Sequence, residues 1–346
     1  MIWSRNRIMV FIRTDANKKI ATGHLMRCIN IAFEIEKLGE KVVFLFQDDE
    51  SVEILNNRFD YKLLNQERKV EIKEMSMILA NEVNPKLLLD SYLFDAKYMQ
   101  SFAHLAKLIT FDDMFAEKFP VDILINYNLY YKFFDYKKRY NSQETKLLLG
   151  GKYVPVREEF QNILPPQIKR RADKILLISG GGDQYHMLYN IIKDFSRKSD
   201  FLNYEFTIIA GVFNDDINRL YDFERKYSNV NLFVNTNNLG QIMKQMDIIV
   251  SAAGTVLYEA CCVGVPTIFF SMAKNQENDS KSFSLNDTMY FAGDVQKDKQ
   301  KVIDNIINII GKLSIDWEER ICMQKKMKKL IDGKGVVRIA KEVVEG

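Results

Sequence analysis

Short apolar runs recur along the whole chain and alternate with segments of helical period. "IMVFI", "KVVFLF", "KLLLD", "LITFDD", "DILIN" and "KLLLG" fall in the first half, and "KILLISGGG", "EFTIIAG", "NLFVN", "DIIVSAAG" and "PTIFF" in the second. Runs of this length without polar alternation read as strands buried on both faces, which is the signature of a parallel sheet covered by helices. The fold class expected is α/β, with two Rossmann-like doubly wound domains facing a central cleft, GT-B-like, and a helical C-terminal tail. A length of 346 residues suits two cores of ordinary size. The segment "REEFQNILPPQIKRRADK", with Pro165-Pro166 and dense charge, predicts a linker at about 160–172. The expected domains are therefore 1–160 and 172–346. From about residue 298 the pattern is helical, "VIDNIINIIGKL" being strongly amphipathic, and this tail closes the second domain or straps it to the first.

Charge and cysteine content narrow the function classes. Lys plus Arg total 49 against 46 Asp plus Glu, a net charge of +3 that argues against a nucleic-acid partner. The basic run "MQKKMKKL" reads as the solvated face of a helix, so no stable membrane association is expected. Cys28, Cys261, Cys262 and Cys322 have neither CxxC spacing nor a nearby histidine, and read as reduced core thiols. The opening "MIWSRNRIMVFIRTD" fits a first strand better than a signal peptide, and no stretch is long and apolar enough to span a bilayer. The expectation is a cytoplasmic protein, a monomer by default.

Three strand-to-helix turns carry residues suited to chemistry. In "LLISGGGDQ" the glycines Gly180, Gly181 and Gly182 leave backbone N–H groups bare for an anion, although a tight turn would also account for them. In "IIVSAAGTVLYEA" the small residues Ala253 and Gly254 end a strand, Thr255 opens a helix, and Glu259 follows one turn later on the same face. That spacing suits a nucleoside diphosphate, the helix end and Thr255 meeting phosphate and the Glu259 carboxylate a ribose diol; an exposed helix charge is the other reading of Glu259. In "ATGHLMRC" His24 follows Gly23 at a helix start, with Arg27 one turn on. The positive helix end and the neighbouring cation both favour an uncharged ring, apt for a general base, although a lone histidine also serves in packing.

Read in order, "IRTDANKKIATGHLMRC", "LLLDSY", "FDDM", "DILINYN", "YVPVREEF", "SGGGD", "SAAGTVLYEA" and "MAKNQ" resemble the UDP-2,4-diacetamido-2,4,6-trideoxy-β-L-altropyranose hydrolase family of pseudaminic acid biosynthesis, and more distantly the MurG-type glycosyltransferases of GT-B fold. The resemblance runs from about residue 12 to residue 276. It implies hydrolysis of a UDP-linked 2,4-diacetamido-2,4,6-trideoxyhexose at the anomeric C–O bond, releasing UDP and free sugar for a pseudaminic-type nonulosonic acid. His24 would activate the water, and Asp15, Gly23, Arg27, Asp90, Tyr92, Asn275 and Gln276 would meet the sugar side. Gly180, Gly181, Gly182, Ala253, Gly254, Thr255 and Glu259 would hold UDP. Neither cofactor nor metal is implied; Asp112-Asp113 fit a cap or sugar-hydroxyl contacts better than a magnesium site. The chain departs from the family at Ala21, where glycine is usual, and at Ser91, which replaces a histidine. The alternative is a glycosyltransferase that uses a UDP-linked N-acetylated sugar in surface polysaccharide biosynthesis.

Overall fold

The computed structural model describes residues 7–17, 22–141, 144–179 and 182–346, with backbone alone at Asn275. It divides into two compact units, residues 1–157 with 334–346 and residues 158–333.

The first unit holds a seven-stranded sheet in the order β3-β2-β1-β4-β5-β6-β7. The strands are β1 (Met9–Thr14), β2 (Lys41–Phe46), β3 (Asp60–Leu63), β4 (Lys86–Asp90), β5 (Lys107–Phe111), β6 (Ile123–Asn126) and β7 (Lys146–Leu149), every neighbouring pair parallel. Alternate residues serve opposite cores, as the pleat requires: Val10 and Ile12 pack on one face and Phe11 on the other. The helix Gly23–Lys37 lays Leu25, Cys28, Ile29, Ala32 and Ile35 on the first face, a stripe at helical spacing. It stops where Gly39, at φ +90, turns the chain back.

The second unit holds a six-stranded sheet in the order β10-β9-β8-β11-β12-β13. Its strands are β8 (Lys174–Ile178), β9 (Glu205–Ala210), β10 (Val230–Val234), β11 (Ile248–Ala252), β12 (Thr267–Ser271) and β13 (Tyr290–Asp294), again all parallel. Both sheets therefore wind outward in two directions from their first strand, and each has one point where the strand order reverses: between β1 and β4, and between β8 and β11.

The expected division at 160–172, with the whole tail in the second domain, needs correction. The last helix, Gly335–Glu345, belongs to the first unit, where Val336, Ile339, Ala340 and Val343 are fully buried in the same core as the helix Gly23–Lys37. Its start lies so close to the backbone at Val154 that a Cβ on Gly335 would stand 2.2 Å from the Val154 carbonyl oxygen. Nor is 160–172 a free linker. Phe160 is buried, and the helix Trp317–Leu330 holds the segment by its carbonyls: Trp317 Nε1 donates to Ile168 O (3.1 Å), Arg320 Nη2 to Lys169 O (2.9 Å) and Gln324 Nε2 to Pro166 O (2.9 Å). Among the described residues no helix is long and apolar enough to cross a membrane.

Candidate active site

In the first unit the reversal point joins the helix after β1 to the end of β4, where Thr14 and Asp90 are register partners. His24 stands in the first turn of that helix, and its Nδ1 lies 2.7 Å from Asp90 Oδ1. Arg27, one turn on, donates from Nη2 to the same oxygen (2.5 Å) and from Nε to Oδ2 (2.6 Å). Its remaining Nη1 donates to Asp113 Oδ2 (3.0 Å), and its Cζ lies 4.0 Å from the centroid of the Phe111 ring. Asn128 Nδ2 fixes the other Asp113 oxygen at 2.8 Å. Tyr92 completes the group, its phenol donating to Asp113 (3.3 Å) and its ring meeting the His24 ring edge-on at 4.6 Å and 85°.

This is a buried base with one open component. Asp90 is 1% exposed and Arg27 8%, whereas Tyr92 is 69% exposed. Burial pushes the Asp90 carboxyl up, but the Arg27 charge and the hydrogen bonds from Arg27 and His24 outweigh it, and hold the group well below the usual carboxylate range. Burial likewise pushes the phenol of Tyr127, a neighbour of Arg27, up to about 12. An ionised Asp90 only accepts, so the proton of a neutral His24 ring sits on Nδ1 and the lone pair on Nε2.

The sequence reading brought His24 and Arg27 together correctly in space, but it assigned Asp90 to sugar contact. In the structure the Asp90 oxygens meet His24, Arg27 and Cys28 Sγ, the last at 3.4 Å, so the group orients these side chains. Asp15 is likewise bonded within the protein. It is 5% exposed, one oxygen paired with Arg13 Nη1 at 2.5 Å and the other accepting the Gln47 N–H at 2.9 Å. Arg27 is likewise committed to Asp90 and Asp113. Gly23 opens the helix, with nothing among the described residues within 4 Å of where a Cβ would stand. The cap reading of Asp112-Asp113 fits Asp112, which accepts the N–H groups of Met114 and Phe115. Asp113 instead joins Arg27, Tyr92 and Asn128, a role the reading missed. Its only signal was a second carboxylate just past a buried strand. Among the described residues no group of three or more His, Cys, Asp or Glu is arranged to hold a metal ion.

In the second unit the reversal point lies between the turns after β8 and β11. Gly254, at φ +148 and ψ −160, lets the chain leave β11 and enter the helix Thr255–Val263, which starts with no side-chain cap among the described residues. Ala253 is pinned by its N–H to Phe270 O at 2.7 Å. Thr255 is exposed on that first turn, and Glu259 is 7% exposed, so the reading of it as a solvated helix charge fails. The helix after β8, Met187–Phe195, differs. Asp183 already accepts from Met187 N (2.9 Å) and Leu188 N (2.8 Å), so the uncapped donors at this reversal point belong to the Thr255 helix. Gly182 is exposed; Gly180, Gly181, the departure at Ala21 and the Asn275 side chain lie outside the described residues. Gln276 spends its amide oxygen on Met272 N at 2.7 Å, closing the turn Lys274–Gln276.

Over 339 residues the chain is 22% identical to the spore coat polysaccharide biosynthesis protein SpsG of Bacillus subtilis, covering 95% of this chain and 96% of that protein. It is 23% identical over 271 residues to the UDP-2,4-diacetamido-2,4,6-trideoxy-beta-L-altropyranose hydrolase of Campylobacter jejuni, covering 78% of this chain and 93% of the relative. The resemblance to this hydrolase family holds. Among solved structures, MurG of Acinetobacter baumannii aligns over 98% of this chain and 100% of its own, with a TM-score of 0.65 at 10% identity. The α/β, GT-B-like fold expected from the sequence is thereby present. No family model matches the chain.

Proposed function

We propose that the protein hydrolyses a UDP-linked 2,4-diacetamido-2,4,6-trideoxyhexose at the anomeric C–O bond, without a metal, in the making of a pseudaminic-type sugar acid. The observation that supports it most is the hydrogen bond from His24 Nδ1 to the buried Asp90 carboxylate at 2.7 Å, which leaves Nε2 as the basic atom. In this reading Nε2 takes a proton from water as the water oxygen bonds to C1. The bond from C1 to the phosphate oxygen breaks, and UDP leaves with the electron pair. Asp90 balances the charge on the imidazolium, a general-base arrangement worth about 10²–10⁴-fold in rate. UDP is already a good leaving group. Its charge falls to the N–H groups at Thr255 and to Gly180, Gly181 and Gly182, Glu259 taking the ribose. Tyr92, the exposed group beside His24, and the Gly23 backbone are assigned to the sugar, with Asn275 and Gln276.

The reaction run in ¹⁸O-labelled water tests the bond cleaved: label in the released sugar is expected, and label in UDP overturns the mechanism. His24→Asn should abolish turnover while leaving UDP affinity within a few-fold. A polysaccharide glycosyltransferase is the second reading, favoured by the likeness to SpsG and to MurG. UDP release with free sugar as sole product, in the absence of any added acceptor, rejects it.

A further inference from the structure

Asp113 collects donors from three separate elements. Its Oδ2 accepts Arg27 Nη1 (3.0 Å) from the helix Gly23–Lys37 and the Tyr92 phenol (3.3 Å) from the turn after β4. Its Oδ1 accepts Asn128 Nδ2 (2.8 Å) from the turn after β6. Asn128 is itself held by Asn126 Oδ1, which accepts its backbone N–H and its Nδ2, both at 3.0 Å. Asp113 is buried, whereas the ring of Tyr92 beside it stands largely in the open.

The turn that presents Asp113 is strained. Phe115 lies at φ +52, a region that a bulky side chain rarely enters. It is held there from several sides. Phe115 N donates to Asp112 Oδ1 (2.7 Å), Arg139 Nη1 donates to Phe115 O (2.8 Å), and the ring stacks on Phe134 with centroids 5.0 Å apart. Strain enforced by its surroundings beside a candidate active site points to a placement that matters for function. What the placement fixes is Tyr92. That ring meets His24 edge-on at 4.6 Å, and without the bond to Asp113 so exposed a side chain would be free to turn into solvent. The one phenolic proton goes to Asp113, and no described residue donates to the phenol oxygen, so Tyr92 offers a ligand only an acceptor.

We propose that Asp113 is a positioning residue that sets specificity: it pins Tyr92 beside His24 with the hydroxyl hydrogen turned inward, so that the site selects the N–H of an acylamino sugar. The proposal rests on the reading of this site as one for a UDP-linked diacetamido sugar. A sugar hydroxyl can turn to donate or to accept, and needs no polarity fixed in advance. An amide N–H only donates, and an acceptor locked in place is its match. The isosteric ester lacks that hydrogen, and its bridging oxygen would face the Tyr92 lone pair with a hydrogen bond lost. Arg27, the other donor on Oδ2, keeps its two bonds to Asp90 when Asp113 changes.

The test compares kcat/KM on the diacetamido substrate and on two analogues in which the acetamido group at C2 or at C4 is replaced by acetoxy. For one of the two positions the amide-to-ester ratio of the parent should exceed that of Tyr92→Phe about 3–20-fold, the worth of one hydrogen bond, intrinsic reactivity cancelling in the comparison. Asp113→Asn keeps the shape but lets an amide hydrogen meet the phenol oxygen from within. It should lower kcat/KM on the amide about 3–20-fold, collapse the same ratio, and add less than two-fold to Tyr92→Phe in the double variant. A role in folding alone would lower Tm and the fraction of chains that bind UDP, leaving the ratio unmoved. Asn128→Ala, which loosens the carboxylate without removing it, carries the same test should Asp113→Asn not fold: its loss should vanish in the Tyr92→Phe background. Equal ratios in the parent and Tyr92→Phe at both positions, or losses that multiply in the double variant, overturn this proposal and leave the hydrolase reading standing. A parent protein that releases no free sugar from the diacetamido substrate overturns both.

Discussion

Asp90 Oδ1 accepts from His24 Nδ1 and from Arg27 Nη2 at once, at 2.7 and 2.5 Å. One buried carboxylate thus fixes the imidazole tautomer and neutralises the cation beside it. Asp90→Asn keeps the shape but lets the amide offer a donor where an acceptor is required. Turnover should fall about 10²–10⁴-fold in kcat with little change in KM for the UDP-sugar, since the residue acts through His24. Steady-state kinetics across pH 6–9 checks it; unchanged kcat would remove Asp90 from the machinery.

The same carboxylate gives stability a pH dependence of defined sign. Its native pKa lies below the unfolded value of about 3.9, so the unfolded chain binds the proton more readily. The contribution of Asp90 is fully present above about pH 5 and is lost as pH falls through the native value. The gap in urea midpoint between the parent and Asp90→Asn should be smaller at pH 3 than at pH 6. A gap that stays constant contradicts the assignment.

Gly254 sits at φ +148, a region essentially reserved for glycine, although no described residue lies within 4 Å of the position of a Cβ. Gly254→Ala should therefore cost about 1–3 kcal/mol through the backbone alone. UDP affinity should fall with it, because the Thr255 N–H groups shift. Thermal denaturation and calorimetry with UDP read the two effects separately.

Ile339, fully buried on the last helix, belongs to the core of the first unit. Ile339→Ala should destabilise that unit by about 2–5 kcal/mol, as large-to-small changes in a core do. Hydrogen exchange should show the loss on β1 and the helix Gly23–Lys37, with the second unit unaffected.

The strands legible in the sequence are those that carry a continuous apolar run, the partly exposed edge strands β7 and β10 among them. β3, whose four residues are all exposed, and β13 escaped notice, and both are sheet edges with little apolar surface to bury. At the candidate site the neighbourhood of His24 and Arg27 was readable, since helical spacing fixes it. The bond from His24 to Asp90 crosses 66 positions, and no local pattern encodes which strand end arrives beside a given helix. The internal partners of Asp90 and Asp15 were hidden for the same reason: a carboxylate ending a buried strand looks equally fit for a ligand or for a neighbouring arginine. The final helix shows the limit once more. Its amphipathic stripe announces a buried face without saying which core will cover it.

That helix also sets an order of assembly. The first unit takes its closing element from residues that follow the whole of the second unit, so its core stays unfinished until Gly335–Glu345 has been made, while the second unit, encoded earlier than that helix, already has all its residues for a complete core. Synthesis from the N-terminus here delivers the earlier-encoded half last, with its open apolar face awaiting the final turns of helix.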